Sequence, residues 1–122
     1  MTIGEVSKKL GISVDTLRYY EKIGLINPIA RNKSGIRDYA ETDLKQIEFV
    51  KCMRSANLPI EALTKYMTLF KEGDKTISER REILVHQREQ ILKQIKEWQE
   101  VEKRLDKKIK LYDEKLLEKK LT

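Results

Sequence analysis

The sequence predicts a mainly α-helical fold, a winged helix-turn-helix followed by one long dimerisation helix. Three observations lead there. Chain breakers are sparse, five glycines and two prolines in 122 residues, and none falls after Gly73. Two short amphipathic segments near the N-terminus are separated by a glycine-containing turn. From Ile77 onward, apolar residues recur every seven positions, the pattern of a helix that packs along a partner helix.

The elements follow in order. Thr2-Ile3-Gly4-Glu5 has capping-box spacing, a hydroxyl and then an acid three residues on. Ile3, Val6 and Leu10 then fall on one helical face. Gly11 permits a tight turn. Ser13 can cap a second helix, with Asp15 favourable at its positive end, and Val14, Leu17 and Ile23 or Leu25 supply its apolar side. Two short helices so joined read as a helix-turn-helix over about 2–22. The run NPIARNKSGIRDYAE, Asn27 to Glu41, lacks a helical pattern. Ile36-Arg37-Asp38-Tyr39 alternates after a Ser-Gly turn, which predicts a small β-hairpin, a basic wing over about 27–41. Thr42 is expected to cap a third helix carrying Leu44, Ile47, Val50 and Met53. Asn57 should end it in a left-handed conformation. Pro59 suits the first turn of a fourth helix through Leu63, Tyr66, Met67 and Phe70. These helices fill about 42–70 and complete a domain over 1–70, with 71–75 as linker.

Thr76-Ile77-Ser78-Glu79 repeats the capping-box spacing and opens a helix over 76–121. Steps of seven from Ile77 meet Leu84, Ile91, Trp98, Leu105 and Tyr112. The companion series from Arg81 meets Arg88, Ile95, Glu102, Ile109 and Leu116, mixed early and apolar late. One helix cannot hide such a stripe alone. The expected partner is the same helix of a second copy, with Leu84, Ile91, Ile95, Trp98, Leu105, Ile109 and Tyr112 in the seam of a homodimer.

Charged residues make up 38% of the chain, and 26 Lys+Arg against 20 Asp+Glu leave a net charge of +6. That balance points to an anionic partner, nucleic acid first. No apolar run approaches the ~20 residues of a membrane span, and the N-terminus does not read as a signal peptide. A soluble, cytoplasmic protein without membrane contact is expected. One cysteine, Cys52, excludes an internal disulfide framework.

Leu17 and Tyr20 share a helical face, so Tyr20 reads as core, while Thr16, Arg18 and Tyr19 point elsewhere. The second helix of a helix-turn-helix enters the major groove and its early residues reach the bases. Arg18 can contact guanine or phosphate, and the Tyr19 hydroxyl can donate to phosphate. The wing carries Arg31, Lys33 and Arg37, with Tyr39 alternating with Arg37, placed for phosphates or the minor groove. Lys51 and Arg54 can add phosphate contacts from the third helix. The plainer reading is a solvated Arg18 beside two half-buried tyrosines, a wing kept polar for solubility, and solvated Lys51 and Arg54. Cys52 sits at a boundary on the third helix. By spacing it reads as a small buried hydrophobe, although Lys51 and Arg54 nearby favour thiolate. His86 reads as a solvated helix residue. No metal site, cofactor, nucleophile–base pair or phosphate loop is present by spacing, and the acids of the long helix pair with lysines at i, i+4. An enzyme is not expected.

The run IGEVSKKLGISVDTLRYYEKIGLI, the wing IRDY, the segment KCMRSANLPIEAL and the EGD before the long helix resemble the MerR family of bacterial transcription regulators, in order along the whole chain. The resemblance implies a winged helix-turn-helix, two further helices forming a second wing, and an antiparallel coiled-coil dimer. It implies binding to pseudo-palindromic promoter DNA whose spacer is too long, and distortion of that spacer so that RNA polymerase engages both promoter elements. Thr16, Arg18 and Tyr19 match the family's recognition-helix contacts, Arg37 and Tyr39 its wing, and Arg54 a backbone-contacting residue of the second wing. The family's metal sensors carry cysteines at the start of the dimer helix and in a loop after it, where this chain has TISERRE and LYDEKLLEKKLT, without cysteine. Drug-sensing members carry a large C-terminal domain for which this chain is too short. The context IEFVKCMRSANLPIEAL resembles the thiol-based, aldehyde- or electrophile-responsive branch, which makes Cys52 the expected sensor. A regulator with a non-covalent small-molecule effector, and an effector-free architectural DNA-binding protein, are the alternatives.

Overall fold

The first helix begins as its capping box predicts. In the computed structural model, which describes residues 1–121, the Glu5 amide donates to Thr2 Oγ1 and the Thr2 amide to Glu5 Oε1, both at 3.2 Å. The Thr2 amide, and after it the Thr2 hydroxyl, hold the Glu5 carboxyl below its usual range. Helix α1 (Ile3–Leu10) stops at Gly11, whose φ of 66° only glycine adopts without strain. Helix α2 (Val14–Lys22) is capped by Ser13, whose Oγ accepts from the Thr16 amide at 3.1 Å. The helix-turn-helix is therefore built by the residues expected to build it.

The wing is slighter than predicted. In place of a two-stranded hairpin, one antiparallel bridge joins Arg31 and Arg37. Between them Asn32 organises the turn, its Oδ1 accepting from the Ser34 and Ile36 amides. A two-stranded ribbon with nothing to pack on is marginal in water, and Ile36 at its tip is 55% exposed.

Helix α3 (Glu41–Ser55) starts one residue before Thr42. Its N-cap is Ala40, and Asp43 Oδ2 accepts from the Ala40 amide at 2.8 Å, so a carboxylate does the work assigned to Thr42. Asn57 is left-handed at φ 64°, as expected. Pro59 is the N-cap of α4 (Ile60–Lys71), just outside the helix. The expected linker is largely structured. A 3₁₀ turn, Asp74–Thr76, leads into α5 (Ile77–Leu121). Thr76 does not form a capping box there. Its hydroxyl is buried, within reach of the Leu69 and Gly73 carbonyls at 2.6 and 2.8 Å, and accepts from Arg80 Nε. With its one proton shared between carbonyls of a buried bend, the hydroxyl serves that bend and not a cap of a helix whose first turn is already wound by the 3₁₀ turn.

Two compact units divide at Ile83. The first holds the core. Val6, Leu17, Ile47, Val50 and Leu63 are wholly buried, and Leu25, Ile26, Ile29 and Leu58 close it from the loops. Within the second, the described part of α5 buries no residue, and Trp98, Leu105, Ile109, Tyr112 and Leu116 are each more than half exposed. No described helix is long and apolar enough to cross a membrane.

Candidate nucleic-acid interface

Helix α2 presents its polar side through residues set by its own periodicity. Leu17 is wholly buried and Tyr20 packs against the core, which turns Arg18 and Tyr19 outward. The Arg18 side chain is 55% exposed, with only a 3.7 Å approach to Asp15. Such an exposed pair contributes little and is readily exchanged for an outside partner. Tyr19 is 48% exposed and tilts against Tyr20 at 6.4 Å. The Thr16 hydroxyl accepts from Ser13 Oγ at 2.7 Å, which stiffens the helix start.

The wing is tied to α2 through Glu21, a residue the sequence reading did not single out. Its Oε1 accepts from Arg37 Nε at 2.7 Å and its Oε2 from the Ile29 amide at 3.3 Å. Both side chains of the ion pair are mostly shielded, where charge-assisted bonds are worth more than at the surface. A signal was present. Glu21 lies four residues after buried Leu17, and an acid on the apolar face of a helix needs a partner. Arg37 is thereby fixed through Nε, and its two terminal nitrogens can serve an external acceptor. Lys33 is exposed at the wing tip. Arg31, by contrast, folds back, Nη1 donating to the Gly35 carbonyl at 2.7 Å.

Tyr39 requires correction. Expected beside Arg37 on the outer face, it is 3% exposed and belongs to the core. Its amide donates to the Met1 carbonyl at 2.8 Å, drawing the segment against the N-terminal residues. Its hydroxyl is buried with no hydrogen-bond partner among the described residues. Burial pushes the phenol above its usual range, against the opposing pull of Arg37. Tyr39 holds up the wing from beneath.

Three roles meet within one turn of α3. Lys51 Nζ donates to the Leu10 carbonyl, closing the C-terminus of α1. Arg54 Nη1 donates to the Leu58 carbonyl at 2.7 Å, bracing the turn into α4. Both basic residues expected to serve phosphate are thus engaged within the fold, Arg54 through one arm of its fork. Between them Cys52 is exposed with a free thiol. Its reading as a buried hydrophobe is overturned, because α3 turns Val50 and Met53 inward and leaves Cys52 at the edge. His86 is exposed on α5. No group of three or more metal-ligating side chains occurs among the described residues.

The comparisons agree with this geometry. The family model of the MerR HTH family regulatory protein matches residues 1–69, and that of MerR, DNA binding, residues 44–108. The HTH-type transcriptional regulator AdhR of Bacillus subtilis (strain 168) is 54% identical over 92 residues, which cover 75% of this chain and 66% of that one, just under two thirds of its length. A MerR family transcriptional regulator from Listeria monocytogenes superposes with a TM-score of 0.88 at 50% identity, covering 93% of this chain and 86% of that one. HiNmlR, a MerR family regulator lacking the sensor domain and solved bound to promoter DNA, superposes at 0.82 with 27% identity, covering 93% and 90%. With the helix-turn-helix, the tethered wing and the exposed Arg18 and Tyr19 in place, the chain belongs to the MerR family and is a DNA-binding transcriptional regulator.

Proposed function

We propose that this regulator binds promoter DNA as a homodimer through its α5 helices, paired antiparallel, and that an aldehyde or other electrophile acts on it at Cys52. The domain over 1–70 reads the DNA, with Thr16, Arg18 and Tyr19 on α2, Lys33 and Arg37 on the wing and Arg54 in the last turn of α3, within the second wing. Leu84, Ile91, Ile95, Trp98, Leu105, Ile109 and Tyr112 form the seam. RNA polymerase is the downstream partner, brought onto a distorted promoter. The protein is a regulator and not an enzyme, in keeping with relatives named as transcriptional regulators.

The observation that carries the electrophile reading is the exposure of Cys52 between two residues that brace the DNA-binding unit. Thiolate sulfur adds to the aldehyde carbon. A C–S bond forms, the carbonyl π bond opens onto oxygen, and that oxygen takes a proton from water to give a hemithioacetal. Bulk at this edge of α3 then disturbs the bracing by Lys51 and Arg54. Transcription from the cognate promoter, measured with and without an aldehyde, tests the reading in wild type and Cys52→Ser. Induction should disappear in the variant while operator binding survives. A variant that still responds moves the effector away from Cys52.

The DNA reading has its own test. Arg18→Ala should weaken operator binding by ~1–3 kcal/mol if the guanidinium reads a base, with thermal stability unchanged because the side chain is exposed. Fluorescence anisotropy with an operator duplex measures it. Unchanged affinity would mean that α2 does not dock through Arg18.

A further inference from the structure

Helix α2 carries two acids, and they are used differently. Glu21 accepts from Arg37 Nε through one carboxylate oxygen and from the Ile29 amide through the other. Asp15 accepts no hydrogen bond from the described residues, and its side chain is 97% exposed. Its one charged neighbour is the Arg18 guanidinium, 3.7 Å away. A negative charge in the first turn suits the helix dipole, but that asks nothing of where the carboxylate points.

The place of Asp15 is well defined. The Ser13 cap accepts from the Thr16 amide and donates to its hydroxyl, which holds the first turn on either side of Asp15. Steps of three, four and seven from Asp15 reach Arg18, Tyr19 and Lys22, all exposed. Asp15 therefore shares the face that carries Arg18 and Tyr19. It stands at the end of the helix whose residues reach base edges in a helix-turn-helix.

An anion on that face is repelled wherever it meets phosphate. In the major groove the partners open to a carboxylate are the amino groups, cytosine N4 and adenine N6, since guanine and thymine present acceptors there. Adenine sets its N7 acceptor beside the amino group, which repels a carboxylate. Cytosine sets an apolar C5–H there instead. Cytosine is therefore the base that Asp15 fits. Arg18 has the complementary preference, for guanine O6 and N7. One turn of α2 thus holds an acceptor and a donor fork side by side.

We propose that Asp15 is a specificity-determining residue. Its carboxylate accepts from cytosine N4 in the major groove, near the guanine read by Arg18, and turns α2 away from sites that lack an amino group at that position. This rests on the docking of α2 through Arg18.

Duplexes recovered from a randomised pool by the intact wild-type protein define the preferred half-site. Fluorescence anisotropy on that duplex and on its single-pair substitutions then reads each position. Wild type should prefer cytosine by about fivefold or more at one position near the guanine that Arg18→Ala ceases to distinguish. Asp15→Ala should lose the cytosine preference, keep the guanine preference, and bind a scrambled duplex more tightly than wild type does. Asp15→Asn should exchange cytosine for adenine at the same position, because a side-chain amide pairs with N6 and N7. A residue that only supports the helix start would change the affinity for every duplex by one factor. The proposal is overturned if both Asp15 variants keep the wild-type base preferences, or if they change the affinity for all duplexes equally. Where Arg18→Ala also leaves binding unchanged, the docking of α2 fails with it. Where Arg18→Ala weakens binding and the Asp15 variants keep the wild-type preferences, this proposal alone fails.

Discussion

Leu105→Lys is expected to abolish self-association while leaving the first 83 residues folded. Leu105 is 59% exposed on α5, in the stripe with Trp98 and Ile109. Burying a leucine fully is worth ~1.5–3 kcal/mol, and a homodimer contains the residue twice. Losing ~3–6 kcal/mol weakens the dimer about 10²–10⁴-fold, before the cost of placing a lysine ammonium against apolar neighbours. Sedimentation equilibrium reads the dissociation constant directly. The first unit has its own core of Val6, Leu17, Ile47, Val50 and Leu63, so its helical signal and cooperative melt should remain. Operator binding should fall steeply, because two half-sites are no longer held by one molecule. A variant that dimerises like wild type would place the seam on another face of α5.

The second large effect concerns the floor beneath the DNA-reading helix. Leu17→Ala should cost ~2–5 kcal/mol of stability, the range for emptying a close-packed leucine site. Leu17 is wholly buried among α1, α3 and the loop residues of the core, where rigid neighbours leave little room to collapse. Domains of this size carry ~5–15 kcal/mol in all, so the variant should melt far earlier in urea with an unchanged m-value. At the mild end of the range it stays folded and binds the operator with reduced affinity, because α2 loses the wedge that sets its angle. A loss below ~1 kcal/mol would mean that the site relaxes to fill the gap.

Much of this fold was legible in the sequence because local chemistry fixes it. Thr2, Ser13, Gly11 and Asn57 act within four residues of themselves, and each does what its type predicts. The long helix α5 was legible for the same reason, since helical periodicity is a local property. What was missed depends on contacts between distant residues. Tyr39 alternates as a wing residue should, but its pairing with Met1, 38 positions away, turns it inward. Asp43, and not Thr42, supports the start of α3, because a carboxylate three residues after the Ala40 N-cap satisfies the Ala40 amide. Glu21 was hidden in a motif dominated by its tyrosines, although an acid on the Leu17 face was a signal. Cys52 could not be placed by spacing, since a boundary position becomes core or surface according to what packs over it.

Lys51 reaches back to Leu10 and Arg54 reaches forward to Leu58, so a single turn of α3 is joined to α1 and to the turn before α4. If a reversible adduct at Cys52 changes operator affinity by some factor through those joints, thermodynamic linkage requires the operator to change the adduct's stability by the same factor. The promoter then becomes an effector of the thiol. Chains occupying their operator and chains free in solution would carry different adduct loads at one aldehyde concentration, and the number of promoter copies would itself set part of the sensor's threshold.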